Sequence, residues 1–440
     1  MKIYRNAFVS VVALTSVAAT NTSLQASEFN GKAILAISDG AMLASGYIDG
    51  KLGTRKPDRL TIVSPKDKKV ISSLSVSNSV GTWPNIMAIS PDGKFAVVTE
   101  PWGQPTKEAK EFKEIPKGKS LSLIDLSDLT NPKLIQTIES PFAPSAVDFH
   151  PGGNLIAVTF PFKNQIGLYP FENGKLGKLT TVAVDENISG KKLPLEFKWH
   201  PSGKFAAITL AASNRVVFYA YENKNLKQWG DPMVTAPLPG KGQWTKDGKH
   251  FMITTITATG DLKQNNYRHN TSLFAVFQFD QDDKPNSPKR RANDRKTTYK
   301  SLPIQHSRAS QVPNGMGYVE NFAISPDGKW VVGLNMVASW LPKSYTGRTT
   351  YSELTLFAFD QENGTLTPHS TTKLDSIFLP QGIVFDKDGS HMAVTSFQHD
   401  KKQGGSLNFY KFSPTKKLPF EKEGAAIPLP RGAHFLGKIN

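Results

Sequence analysis

Six copies of one hairpin pattern, two further strand-like runs after most of them, and an unmatched strand-like segment at the C-terminus predict an all-β fold. The class they specify is a seven-bladed β-propeller of four-stranded antiparallel blades, its ring closed by the terminal strands. The copies align on a turn glycine: "NIMAISPDGKFAVVTE" at Gly93, "SAVDFHPGGNLIAVTF" at Gly153, "LEFKWHPSGKFAAITL" at Gly203, "GKGQWTKDGKHFMITT" at Gly248, "ENFAISPDGKWVVGLN" at Gly328 and "QGIVFDKDGSHMAVTS" at Gly389. A weaker seventh, "AILAISDGAMLASGY" around Gly40, lacks the proline. Spacings of 53, 60, 50, 45, 80 and 61 residues are too uneven for a solenoid and suit a radial array whose loops vary.

Each copy has a local reason to form. Asp-Gly or its equivalent supplies a positive-φ turn, and the flanking period-2 runs of Val, Ile, Phe and Trp suit half-buried or buried strands. Two more strands follow, such as "SLSLIDLS" and "PKLIQTIES" after Gly93, or "QIGLYPFENG" and "KLTTVAVDE" after Gly153. Four strands make a blade, and seven blades account for residues 27–440. The terminal "RGAHFLGKI" reads like the start of another hairpin and completes the first blade, so that the ring has no exposed edge. Whether "AILAIS" or "GAHFLGKI" lies innermost is left open by the sequence.

The N-terminus reads as a secretory signal over residues 1–26: Lys2 and Arg5, then an apolar stretch from Ala7 to Ala19, then a small residue at Ala26 as the cleavage point. The expected location is periplasmic or secreted. No segment approaches the roughly 20 apolar residues of a membrane-spanning helix. The formal charge of +16 falls to +14 without Lys2 and Arg5, and such an excess attracts anions without naming one. Cysteine is absent, which excludes disulfides, thiolate metal sites and covalent haem attachment.

"SPDGKFAVVT" followed by "SLSLIDLSD" and "PKLIQTI" resembles the seven-bladed propellers of the YVTN-repeat and lactonase superfamily, which includes bacterial 6-phosphogluconolactonases. The resemblance covers nearly all of the chain after the signal and implies the fold; the architecture hosts enzymes and binding proteins alike. Lactonase members carry histidine and arginine in the approach to the innermost strand. Here the approaches read "TWPN", "APSA", "LPLE", "PGKG", "YVEN" and "LPQG", without histidine, and only the terminal "PRGAH" offers both, as Arg431 and His434. Quinone-docking tryptophan repeats, WD40 signatures, His-x-x-x-His pairs and calcium loops are missing, so no cofactor or metal is expected.

Residues six and four before each turn glycine are mostly apolar and should pack between blades; those seven and five before include Asp148, Glu196, Lys198, Lys241, Gln243 and Asn321. Charged side chains there either reach a solvated channel or pair with one another as structural salt bridges. His150 and His200 share one repeat position, where Ser90 and Ser325 also stand, and so read as turn residues rather than a paired site. Long loops after Gly93, Gly248 and Gly328 carry Trp102, Tyr267, Arg268, His269, Trp340, Tyr345 and Arg348, suited to stack on a sugar or clamp an acid. The basic run "KRRANDRK" at 289–296 lacks interleaved aromatics and reads as a solvated loop, not a nucleic-acid site.

Two functions fit these residues. One is a monomeric, noncatalytic propeller that binds an anionic or carbohydrate ligand, or another envelope protein. The other is a lactonase-like hydrolase or isomerase of a sugar lactone or related acidic carbohydrate, with Glu196 or Glu320 as general base and Arg268, Arg348 or Arg431 steadying the oxyanion.

Overall fold

The computed structural model describes residues 28–40, 52, 55–81, 85–184, 188, 190–257, 271–281, 306–341, 347–397 and 404–440. Residues 1–26, read above as a secretory signal, the basic run 289–296, and Tyr267, Arg268, His269 and Tyr345 lie outside them. Seven antiparallel sheets form the ring, each with four strands along its main path except where an outer strand is split. The innermost strands are Ala433–Ile439 in blade 1, Met87–Ile89 in blade 2, Val147–Phe149 in blade 3, Pro194–Trp199 in blade 4, Pro239–Trp244 in blade 5, Val319–Ile324 in blade 6 and Ile383–Phe385 in blade 7. Outward from Met87–Ile89, for example, run Phe95–Thr99, Ser120–Asp125 and Lys133–Glu139. In blade 3 the outer strand is broken into Lys175–Leu176 and Thr180–Ala183, both paired with Gln165–Glu172.

The chain's last strand is the innermost one of blade 1. Ala433–Ile439 pairs antiparallel with Ala33–Ser38, which pairs in turn with Arg59–Ser64. The segment around Gly40 is therefore not a seventh hairpin. Second-position and innermost strands carry the same apolar alternation, so Ala33–Ser38 imitated the first arm of a hairpin although it occupies the second place. Closure by both termini removes the sheet edge that an open ring would expose.

The six turn glycines adopt φ of 72° to 74°, a left-handed conformation that a Cβ disfavours. In the first hairpin the Ser90 amide donates to the Phe95 carbonyl and the Gly93 amide to the Ser90 carbonyl, each at 2.8 Å, enclosing four residues. His150 Nε2 lies 2.9 Å from the Gly203 carbonyl oxygen and His200 Nε2 3.0 Å from that of Gly248. These histidines tie one blade's turn to the next.

Apolar inner-strand residues pack between blades: Phe197 and Trp199, for instance, join Leu155, Ala157 and Ile166 of blade 3 in one buried cluster. Burying each large side chain of this kind contributes about 1.5–3 kcal/mol. Among the described residues, no helix is long and apolar enough to cross a membrane.

Candidate functional site

An innermost strand runs away from one face of the ring and the second strand runs back to it. The approaches to the inner strands and the loops between second and third strands therefore share a face, the channel mouth. A threonine six residues beyond the turn glycine organises it. Thr209 Oγ1 accepts the Glu196 amide at 3.1 Å and donates to the Gly240 carbonyl of blade 5 at 3.0 Å. Thr159 does the same one blade earlier, accepting the Ala146 amide at 2.9 Å and donating to Leu195 O at 3.4 Å. Thr395 accepts the Gly382 amide at 2.8 Å. Each hydroxyl thus pins its own approach, and in blades 3 and 4 the neighbour's as well.

Bulges interrupt the inner strands between Pro194 and Phe197, Pro239 and Gly242, and Val319 and Asn321. A bulge breaks the period-2 alternation, and in blade 6 it separates Glu320, eight residues before the glycine, from the regular strand that follows. Glu196 is 0% exposed, and its Oε1 accepts Asn85 Nδ2 at 2.6 Å. Lys241 Nζ donates to Asn85 Oδ1, and lies 5.4 Å from the Phe435 ring centroid on the closing strand. Asn85 belongs to blade 2 and Lys241 to blade 5, as far apart as a seven-membered ring allows. Their hydrogen bond crosses the channel and makes a floor.

Beside it Lys198 Nζ pairs with Asp148 Oδ1 at 2.7 Å, and Asp148 Oδ2 accepts the Trp199 amide at 2.9 Å. The anticipated pairing of Asp148, Glu196, Lys198 and Lys241 thus holds for Lys198 with Asp148, while Asn85 mediates between Glu196 and Lys241. Burial raises the Glu196 pKa against the pull of Lys241 and Lys198. Burial also lowers Lys241, to about 8, although the Glu196 carboxylate opposes it. For Lys198 burial acts downward, but the Asp148 and Glu196 carboxylates outweigh it and its pKa is raised. Glu196 Oε2 has no hydrogen-bond partner among the described residues.

Glu320 stands on the other side of the mouth. It is half-buried, Gln381 Nε2 donates to its Oε2, and burial pushes its pKa up to about 7 against that hydrogen bond. Asn321 Nδ2 donates to the Gln381 carbonyl at 2.7 Å and holds the two approaches together. Gln243 is half-buried on its inner strand, opposite Met252.

Trp340 packs against Tyr318 at 5.1 Å between ring centroids, in a cluster with Met336, Leu379 and Phe397, beside the approaches that carry Glu320 and Gln381. The Arg348 guanidinium lies 5.2 Å from the Phe378 ring centroid, its pKa lowered by burial. Trp102, in contrast, packs at an angle against Phe112 and edge-on against Phe162, on blades 2 and 3. Arg431 Nη2 donates to the Gly40 carbonyl at 3.0 Å. His434, 4% exposed, has Nδ1 2.9 Å from the Gly432 carbonyl and is lowered by burial to about 4, so it is neutral at pH 7. Arg431 and His434 thus stand at the ring closure in blade 1, two blades from Glu320 in blade 6.

Asn85, Gln381 and the threonine relay escaped the sequence reading. Their signal was present as a second register, eight before and six after the turn glycine.

No family model and no curated protein matches the chain. Solved structures do. A candidate 6-phosphogluconolactonase from Bacteroides fragilis is 13% identical, with a TM-score of 0.60 over 93% of this chain and 98% of that one. The periplasmic gluconolactonase of Pseudomonas aeruginosa is 12% identical, with a TM-score of 0.59 over 92% and 99%. A hypothetical selenium-binding protein from Sulfolobus tokodaii is also 12% identical, with a TM-score of 0.57 over 94% of each chain. What the chain shares with them is the fold. The seven-bladed architecture expected from the resemblance to lactonase-like propellers is present in full.

Proposed function

We propose that the channel mouth binds a polyhydroxylated or anionic small molecule and hydrolyses a sugar lactone there, with Glu320 as general base. The geometry that carries this reading is the Glu320 carboxyl, half-buried beside the channel and held by Gln381 Nε2, where burial pushes its pKa up to about 7. A base with a pKa near the working pH is ionised often enough to act and basic enough to take a proton. Water would lose its proton to Glu320 as its oxygen bonds to the lactone carbonyl carbon. The ring C–O bond then breaks and the leaving alkoxide takes that proton back, giving a hydroxy acid. Arg348, whose guanidinium lies over Phe378 close to the Gln381 approach, would supply positive charge for the developing oxyanion. Two structures with the same fold carry lactonase names.

The test is hydrolysis of glucono-δ-lactone by purified protein. Glu320→Gln should lose about 10²–10⁴-fold in rate, whereas Glu196→Gln, in the floor, should lose less. A wild-type rate equal to the buffer rate would remove the reading for that substrate.

A second reading, a noncatalytic binding propeller, is favoured by the way Asn85, Glu196 and Lys241 occupy one another. It requires ligand binding without turnover. In either case we propose export, with the mature protein beginning near Ser27; N-terminal sequencing of the exported fraction that recovers Met1 would contradict it.

A further inference from the structure

The Lys117 ammonium lies 3.4 Å from the ring centroid of Trp102 and 3.6 Å from that of Phe162 in blade 3. Those centroids are 6.2 Å apart with the rings at 77°, so the ammonium is wedged between them. Phe112 backs Trp102 at 4.8 Å, and a β-bridge pairs Trp102 with Lys117 across the loop. The positive charge is thus fixed in place by ring faces. Among the described residues it has no carboxylate within ion-pair distance.

Next to it opens a cavity of about 510 Å³ whose wall includes Lys117, Lys119, Ser140 and Phe142, with Glu139 its single acid. Lys163 stands 5.2 Å from the Phe142 ring centroid. Phe162 leaves 55% of its surface in water while its ring contacts Trp102 and the Lys117 ammonium. Ring faces hold an ammonium but do not neutralise it. A ligand that completes this surface brings carboxylates for the lysines and an apolar face for the exposed ring.

We infer that the rim between blades 2 and 3 is a second binding site, separate from the channel mouth, for a carboxylated oligosaccharide of the uronate type. The carboxylates of successive residues meet Lys117, Lys119 and Lys163, and the C–H face of one sugar lies on Phe162. The basic excess of the whole chain steers such a polyanion toward it. The site does not depend on Glu320 or on any lactone chemistry.

Calorimetry with the full mature chain tests this, using trigalacturonate, neutral maltotriose and inorganic tripolyphosphate as probes. Phe162 and Lys119 are exposed, so Phe162→Ala and Lys119→Gln leave the fold intact. Trigalacturonate should bind and weaken with added salt, each variant should lower its affinity about tenfold, and maltotriose should not bind. Tripolyphosphate should bind more weakly and be indifferent to Phe162→Ala. The proposal falls if trigalacturonate does not bind, if either variant leaves its affinity unchanged, or if tripolyphosphate binds as tightly.

Discussion

Replacing Thr209 by valine isolates the threonine relay that holds the channel mouth. Thr209 is fully buried in the second strand of blade 4, and its hydroxyl serves two backbone groups, the Glu196 amide and the Gly240 carbonyl. Valine keeps the branched shape, so the change is the loss of the oxygen, which leaves a buried donor and a buried acceptor without partners. At about 1–3 kcal/mol for each orphaned group, the variant should lose about 2–6 kcal/mol of stability. Urea unfolding followed by tryptophan fluorescence reads this as a lower midpoint with an unchanged slope. Thr137→Val, on the exposed outer strand of blade 2, is the control and should stay within about 0.5 kcal/mol of wild type. Equal midpoints for the two variants would refute the relay as a stabilising device.

At the turns, Gly203→Ala combines a φ of 72° with a Cβ 2.6 Å from His150 Nε2; it should cost about 1–3 kcal/mol and lower the melting temperature. A melting temperature equal to wild type would show that the His150 contact yields freely. His434 supplies a pH signature, since burial lowers its folded pKa to about 4 from the ordinary histidine value of about 6.5. Between those values the unfolded chain binds the proton and the folded chain does not, so stability falls as pH drops from 6.5 to 4, by about 3 kcal/mol from this group. His434→Gln should flatten the loss in that window, and an identical pH dependence in both proteins would contradict the burial argument.

The hairpins were legible because a left-handed turn needs glycine and leaves it at a fixed place between two apolar arms. Blade count followed from them, but the order of strands in blade 1 did not. "AILAIS" and "GAHFLGKI" have equivalent alternation, and only their pairing distinguishes a second strand from an innermost one. Part of the channel floor was legible for a similar reason: Glu196, Lys198 and Lys241 stand out as charges on strands that are otherwise largely uncharged. Asn85 and Gln381 were hidden because they stand before their inner strands begin, at Met87 and Ile383, outside the alternation that the strands carry. The threonines hid in plain view, because a β-branched residue in a strand reads as propensity before it reads as a hydrogen-bond donor. Loop aromatics gave no guide to their partners. Trp102 and Trp340 come from equivalent loops, yet one wedges a lysine on blades 2 and 3 and the other packs on Tyr318 in blade 6.

The central claim is that Glu320 is a base tuned by burial at the channel mouth, and the pH dependence of kcat/KM for glucono-δ-lactone hydrolysis tests it most directly. For the wild-type protein kcat/KM, corrected for the spontaneous reaction, should rise with pH through about 7 and then level as Glu320 ionises. Glu320→Gln should abolish both the rise and most of the rate. A profile that keeps its shape and height in Glu320→Gln, or no enzymatic rate at any pH, would contradict the account.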